Sequence, residues 1–221
     1  AAHGHGHERE HHPGHRCRQR GDERRPEARP AEILDAALDL FTERGFAATR
    51  LEDVASRAGL SKAAIYLYFK DKNAVLQALV QATVGANIAL AEGLIANHQG
   101  PVEPALRQLL ALLGHRMSET RLPYLIKLIL SESRAFPELG RWYLDNVIGR
   151  ALPLFRTLIE NGIASGEFRA LDADLAARSF VAPMLLTALW KSVFEPIGAP
   201  PMDAKAMAAS HADIFLKGLK P

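Results

Sequence analysis

Residues 49–72, Thr49-Arg50-Leu51-Glu52-Asp53-Val54-Ala55-Ser56-Arg57-Ala58-Gly59-Leu60-Ser61-Lys62-Ala63-Ala64-Ile65-Tyr66-Leu67-Tyr68-Phe69-Lys70-Asp71-Lys72, decide the fold. Thr49 and Glu52 have the Thr-x-x-Glu spacing of a capping box, in which each side chain satisfies the other's free backbone N–H. That spacing predicts a short helix over 50–57. Gly59 supplies a turn where a left-handed backbone costs nothing, and Ser61 is placed to cap a second helix running through Ala63, Ile65 and Tyr66 to about residue 69. Val54, Ala58, Leu60 and Ile65 point inward, and Ala55 is small where the two helices must cross. Two short helices joined by a tight glycine turn form a helix-turn-helix, whose second helix can be laid into a DNA major groove.

The flanks extend the helical reading. Upstream, Ile33, Leu34, Ala37, Leu38 and Phe41 recur on one helix face, and Gly45 ends that element. Downstream, Lys70-Asp71-Lys72 is a polar break before Val75, Leu76, Leu79, Val80 and Thr83 begin a long helix reaching about residue 96. Further helices are expected at about 102–119, 123–135, 137–164, 172–194 and 203–219, separated by proline- and glycine-rich breaks. Pro153 and Pro183 fall inside helical patterns and should kink them. The expected fold is all-α: a three-helix helix-turn-helix DNA-binding domain at 31–76 and a larger helical ligand-binding and dimerisation domain at 77–221. Residues 1–30, rich in His, Arg, Gly and Pro, read as a solvated tail.

Composition agrees and bounds the function. The 221 residues are 48% hydrophobic, enough for a buried core, and only 7% aromatic, with Ala and Leu favouring helix over strand. Apolar runs such as 180–190 stop short of the roughly 20 residues of a membrane span, and no apolar signal region opens the chain, so a soluble cytoplasmic protein without a membrane partner is expected. The single cysteine, Cys17, cannot form an intrachain disulfide. Net charge is +2, but seven arginines face five acidic residues in 1–30; of the 27 basic and 25 acidic residues, twenty of each remain beyond the tail. Bulk basicity therefore says nothing about nucleic acid, and only the placement of individual charges can. Phosphate loops, His-Glu-x-x-His, spaced zinc cysteines and nucleophile elbows are all missing, so neither an enzyme nor a cofactor is expected. His3, His5, His7, His11, His12, His15 and Cys17 could bind a transition metal, but a solvated tail makes no defined site, and no metal is assigned.

The run Gly45-Phe46-Ala47-Ala48-Thr49-Arg50-Leu51-Glu52-Asp53-Val54-Ala55, with Ala58-Gly59-Leu60-Ser61-Lys62 and Ile65-Tyr66-Leu67-Tyr68-Phe69-Lys70-Asp71-Lys72, resembles the TetR/AcrR family of bacterial regulators over roughly residues 31–80. The resemblance implies an all-α homodimer that binds palindromic operator DNA as a repressor and lets go when a small-molecule effector fills the C-terminal domain. Carried over by position, Lys62, Ala63 and Ala64 would face base edges behind the Ser61 cap, and Arg50 would approach the groove. Thr49, Tyr66, Tyr68 and Lys70 would hold phosphates, with Lys72 as an extra contact. Cap hydroxyls, phenols and ammonium groups all suit phosphate oxygens. Ala63 and Ala64 replace a common Gly and Thr and offer only methyl contacts, and Tyr68 replaces a common His. Tyr66, Tyr68 and Phe69 also fit core aromatics, and Lys70 and Lys72 an ordinary solvated turn.

In the C-terminal part, Met117, Phe136, Trp142, Tyr143, Phe155, Phe180 and Met184 supply bulky apolar surface for a ligand cavity, with Ser131, Glu132, Arg134 and Asn146 as polar candidates. The family's dimer, built from the last two long helices, implicates Leu185, Leu189, Trp190, Ile214 and Phe215. A helical small-molecule carrier or interaction module, without specific DNA binding, is the alternative reading.

Overall fold

The computed structural model describes residues 29–221, where every regular element is helical. The metal reading of the histidine-rich tail lies outside the described residues. Helices α1 (Arg29–Arg44), α2 (Leu51–Arg57) and α3 (Lys62–Ile65) form the N-terminal unit. Next, α4 (Lys72–Val80) runs through a widened π-turn, Gln81–Gly85, into α5 (Ala86–Ala96), so the two make one rod. There follow α6 (Val102–Glu119), α7 (Leu122–Glu132), α8 (Pro137–Tyr143), a π-turn at Leu144–Ile148, α9 (Gly149–Ala164), α10 (Ala173–Leu189) and α11 (Ala204–Leu219). Pro153 and Pro183 lie inside α9 and α10.

The recognition turn forms as its residues dictate, with two differences. Gly59 sits at φ +68°, and the Ser61 hydroxyl accepts the Ala64 N–H at 3.1 Å. The cap of α2 falls one residue later than the Thr-x-x-Glu spacing predicts. Thr49 is buried and donates its hydroxyl to the Gly45 carbonyl at 2.8 Å, while the Asp53 carboxylate accepts the Arg50 N–H at 3.0 Å. α3 is also shorter than the pattern suggests, because the chain leaves the helix after Ile65 in a series of turns.

Two cores result. The first gathers Ile33, Phe41, Phe46, Val54, Ile65 and Leu76, and also Leu125 and Ile129 of α7 and Leu139 of α8. A boundary at residue 76 would thus fall inside a continuous rod and a shared core. The second joins α6, α9, α10 and α11 through Leu106, Leu110, Leu158, Phe180, Ala208 and Leu216. Gly114 lets α6 and α11 cross closely: a Cβ there would lie 2.6 Å from the Ala208 Cβ. Glu167 caps α6 from a distance in sequence, accepting the Val102 and Glu103 N–H groups at 2.6 and 2.8 Å, where Pro101 offers no side-chain cap. The continuous helical stretches Lys72–Ala96 and Ala173–Ile197 are longer than the apolar runs of the sequence and reach the length and hydropathy of a membrane span. Val75, Leu76, Leu79 and Val80 of the first, and Ala177, Phe180 and Met184 of the second, are spent on these protein cores.

His211 on α11 packs on Phe215, and a ring nitrogen lies 3.1 Å from the Phe180 carbonyl, to which it donates. Burial, the largest influence, lowers the imidazole below its ordinary 6.5 against the opposing pull of backbone bonds at Phe180 and Ser179. The unfolded chain then takes up this proton more readily than the folded one, so stability falls as pH drops below about 6.5 and is untouched above it. Melting at about pH 7.5 and about pH 5.5 should show a smaller acid-induced loss for His211→Gln than for the parent; equal losses would remove His211 from the account.

Candidate DNA-binding face and effector cavity

One surface of the N-terminal unit gathers the groups suited to DNA. Arg50, Ser61, Lys62, Ala63, Tyr66, Tyr68 and Lys70 are exposed and Ala64 is half-buried. The two phenols are 46% and 41% exposed, well above what a core aromatic shows. Phe69 is the ring that packs inward. Sequence reasoning missed Leu67, which is 85% exposed between the tyrosines. It also missed the true role of Glu52, whose carboxylate meets the Lys62 Nζ at 3.1 Å and accepts the Tyr66 hydroxyl at 3.1 Å. Bonds from its own backbone N–H, then Lys62 and Tyr66, hold the Glu52 carboxyl below its ordinary value, and Glu52 in turn raises both partners.

Two expected contacts are corrected. Thr49 is 1% exposed with its hydroxyl and N–H both spent on the chain, so its side chain is withdrawn from the surface. Lys72 is a staple instead of a phosphate ligand. Its Nζ donates to the carbonyls of Phe46, Ala47 and Thr49 at 2.7, 3.0 and 3.0 Å and sits 4.7 Å from the centre of the Phe46 ring. An ammonium has three protons, and all three have partners here. Burial lowers the Lys72 ammonium below its ordinary value.

Removing the negative charge of Glu52 should uncover this face. Glu52→Gln is expected to raise affinity for any duplex a few-fold and steepen its salt dependence, because one carboxylate leaves the interface and Lys62 loses its competitor. A salt-series binding titration that finds affinity lowered or unchanged would contradict the assignment of this face.

A partly open cavity of about 290 Å³ lies among the helices that follow the recognition unit. Four of the predicted lining residues, Met117, Tyr143, Phe155 and Met184, border it. The others do not. Phe136 and Trp142 pack into the first core, Phe136 edge-on to Phe46 at 5.0 Å, and Phe180 lies behind Phe155 at 4.9 Å. Of the polar candidates, Ser131 and Asn146 spend their groups on the carbonyls of Leu128 and Trp142, and neither they nor Glu132 and Arg134 line the cavity. The lining instead includes Val84, Asn87, Ile88 and Ala91 of the α4–α5 rod, which the sequence reading did not single out. Tyr143 and Asn87 bring the polar atoms; burial pushes the Tyr143 phenol up to about 12.

Of the residues expected at the dimer interface, Ile214 is 71% exposed; Leu175, Leu186, Phe194 and Ile197 are exposed as well. Leu185 is exposed at the rim of the cavity and Leu189 is half-buried. Phe215 turns inward onto Phe180 at 5.6 Å, and Trp190 packs at a tilt against Phe194 while donating its indole N–H to the Pro200 carbonyl. Both rings are thus held by their own chain.

An exposed cationic and phenolic helix-turn-helix face joined to a helical domain with an apolar cavity is the architecture of a DNA-binding transcriptional regulator. Residues 33–79 match the signature of bacterial regulatory proteins of the tetR family, and residues 104–218 match the C-terminal domain of AefR-like transcriptional repressors. The chain belongs to the TetR family. It is 22% identical over 201 residues to the HTH-type transcriptional repressor KstR2 of Mycolicibacterium smegmatis, covering 88% of this chain and 92% of the relative. Identity to the fatty acid metabolism regulator protein of Bacillus subtilis is 27% over 146 residues, covering 66% of this chain and 74% of that one. The solved structure of the fatty acid degradation regulator FadR from Bacillus halodurans superposes with a TM-score of 0.71 at 26% identity, covering 86% of this chain and 96% of FadR.

Proposed function

We propose that the chain is an intracellular homodimeric repressor, held on a palindromic operator by paired α3 helices and released when a small hydrophobic or amphipathic ligand fills the cavity. The observation that carries this reading is the α4–α5 rod. At one end Lys72 is bonded to the loop that leads into α2, and farther along Val84, Ile88 and Ala91 line the cavity. Two recognition helices must enter successive major grooves about 34 Å apart, so a change in the rod's tilt changes whether both can dock. The ligand acts by binding better to the arrangement that cannot. The exposed Leu185 and Leu186 of α10 and Ile214 of α11 support pairing across a two-fold, which would withdraw them from water. The fatty-acid regulators among the relatives favour an acyl chain as the ligand's apolar part. A carrier would use the cavity alone and leave the exposed Lys62, Tyr66 and Tyr68 without purpose.

The test is release of a preformed complex with DNA from beside the chain's own gene. A ten-carbon amphiphile such as n-decanol should dissociate it where butanol at the same concentration does not; a complex indifferent to both would count against a hydrophobic effector in this cavity.

A further inference from the structure

Asn87 stands out in the cavity wall. It is 9% exposed, on α5 just past the π-turn at Gln81–Gly85, and its Nδ2 donates to the Thr83 carbonyl at 2.9 Å. That bond fixes the amide's orientation, since a carbonyl oxygen cannot face another carbonyl favourably. The Oδ1 is therefore an acceptor, and it is buried without a hydrogen-bond partner. Buried polar groups are almost always paired, and an unpaired one in a functional cavity points to a partner that arrives with the ligand. A second π-turn, Leu144–Ile148, contributes Val147 and Ile148 to the same wall; such turns are rare and concentrate at functional sites.

We propose that the effector carries a neutral hydrogen-bond donor, a hydroxyl or an amide N–H, on a mainly hydrocarbon body, and that Asn87 is the residue that selects for it. This rests on reading the cavity as the effector site. No charged side chain among the described residues lines the cavity, so an ionised ligand group would be desolvated there without a counter-charge. At about 30 Å³ for each water-sized group, the cavity takes a chain of roughly ten heavy atoms.

The experiment compares n-decanol with its isomer methyl nonyl ether, the same atoms without the O–H, by calorimetric titration of the full chain. The parent chain should bind the alcohol about ten-fold more tightly, the ether leaving the Asn87 acceptor unpaired. Asn87→Leu, with the same branching at Cγ and no polar atom, should bind the two within about two-fold. Equal binding by the parent, which needs no variant to observe, or a preference that survives in Asn87→Leu, overturns the role of Asn87 and leaves the cavity reading standing. Binding of neither compound overturns both.

Discussion

A Lys62→Glu variant is expected to bind duplex DNA about 100-fold more weakly than the parent chain while melting at the same temperature. Lys62 opens α3, its side chain is 73% exposed, and its ion-pair partner among the described residues is the surface carboxylate of Glu52. Exposed pairs of this kind contribute roughly 0–1 kcal/mol, so the fold loses little when the pair is broken. DNA loses more. A contact at the groove is worth about 1–3 kcal/mol, and in a two-fold complex the reversal is felt twice. Gel shift or anisotropy at fixed salt reads the loss, and a thermal melt shows whether the fold survived. Affinity unchanged in a well-folded variant would remove α3 from the interface.

The largest effect on stability is expected from Phe46→Ala, at about 4 kcal/mol, which for a chain of this length lowers Tm by roughly 8–16 °C. Phe46 is 0% exposed and meets Phe41 at 5.1 Å and Phe136 at 5.0 Å, both edge-on. Removing its ring leaves a cavity where the N-terminal unit touches the α7–α8 junction, and takes away the face on which the Lys72 ammonium rests. Lys72→Met should cost less, about 2 kcal/mol, because it strands the Phe46, Ala47 and Thr49 carbonyls while keeping the side-chain stem over the ring. Thermal melts of the two variants give the order. A Phe46→Ala chain that melts within about 2 °C of the parent would mean that this junction is not a cornerstone of the fold.

Phe46 also shows where the sequence is readable and where it is not. Periodicity and punctuation are local, so the first helix, Gly59, the Ser61 cap and helices such as 102–119 could be placed from the residues alone. The exposed face of Lys62, Tyr66, Tyr68 and Lys70 followed from the motif. The cap of α2 did not, because Thr49 and Arg50 each have an acidic residue three positions on, and burial of the Thr49 hydroxyl decides between them. Phe136 and Trp142 are aromatic wherever they sit; only the tertiary fold assigns them to the first core and not to the cavity. Lys72 reads as one more surface cation until three carbonyls separated from it by 23 to 26 residues converge on it. Asn87 did carry a signal, a lone amide within the apolar run 84–91, but apolar content alone does not reveal which residues face a cavity.

The central claim is that this chain holds specific duplex DNA through α3 and yields it to a ligand in the helical domain. Its most direct test is a salt-series anisotropy titration of the purified chain against the intergenic DNA beside its own gene, with a random duplex and Tyr66→Ala as controls. Saturable binding of two protomers per site is expected, tighter than to the random duplex, steeply weakened by salt and lost in the variant. Binding no tighter than to the random duplex at low salt would contradict it and favour the carrier.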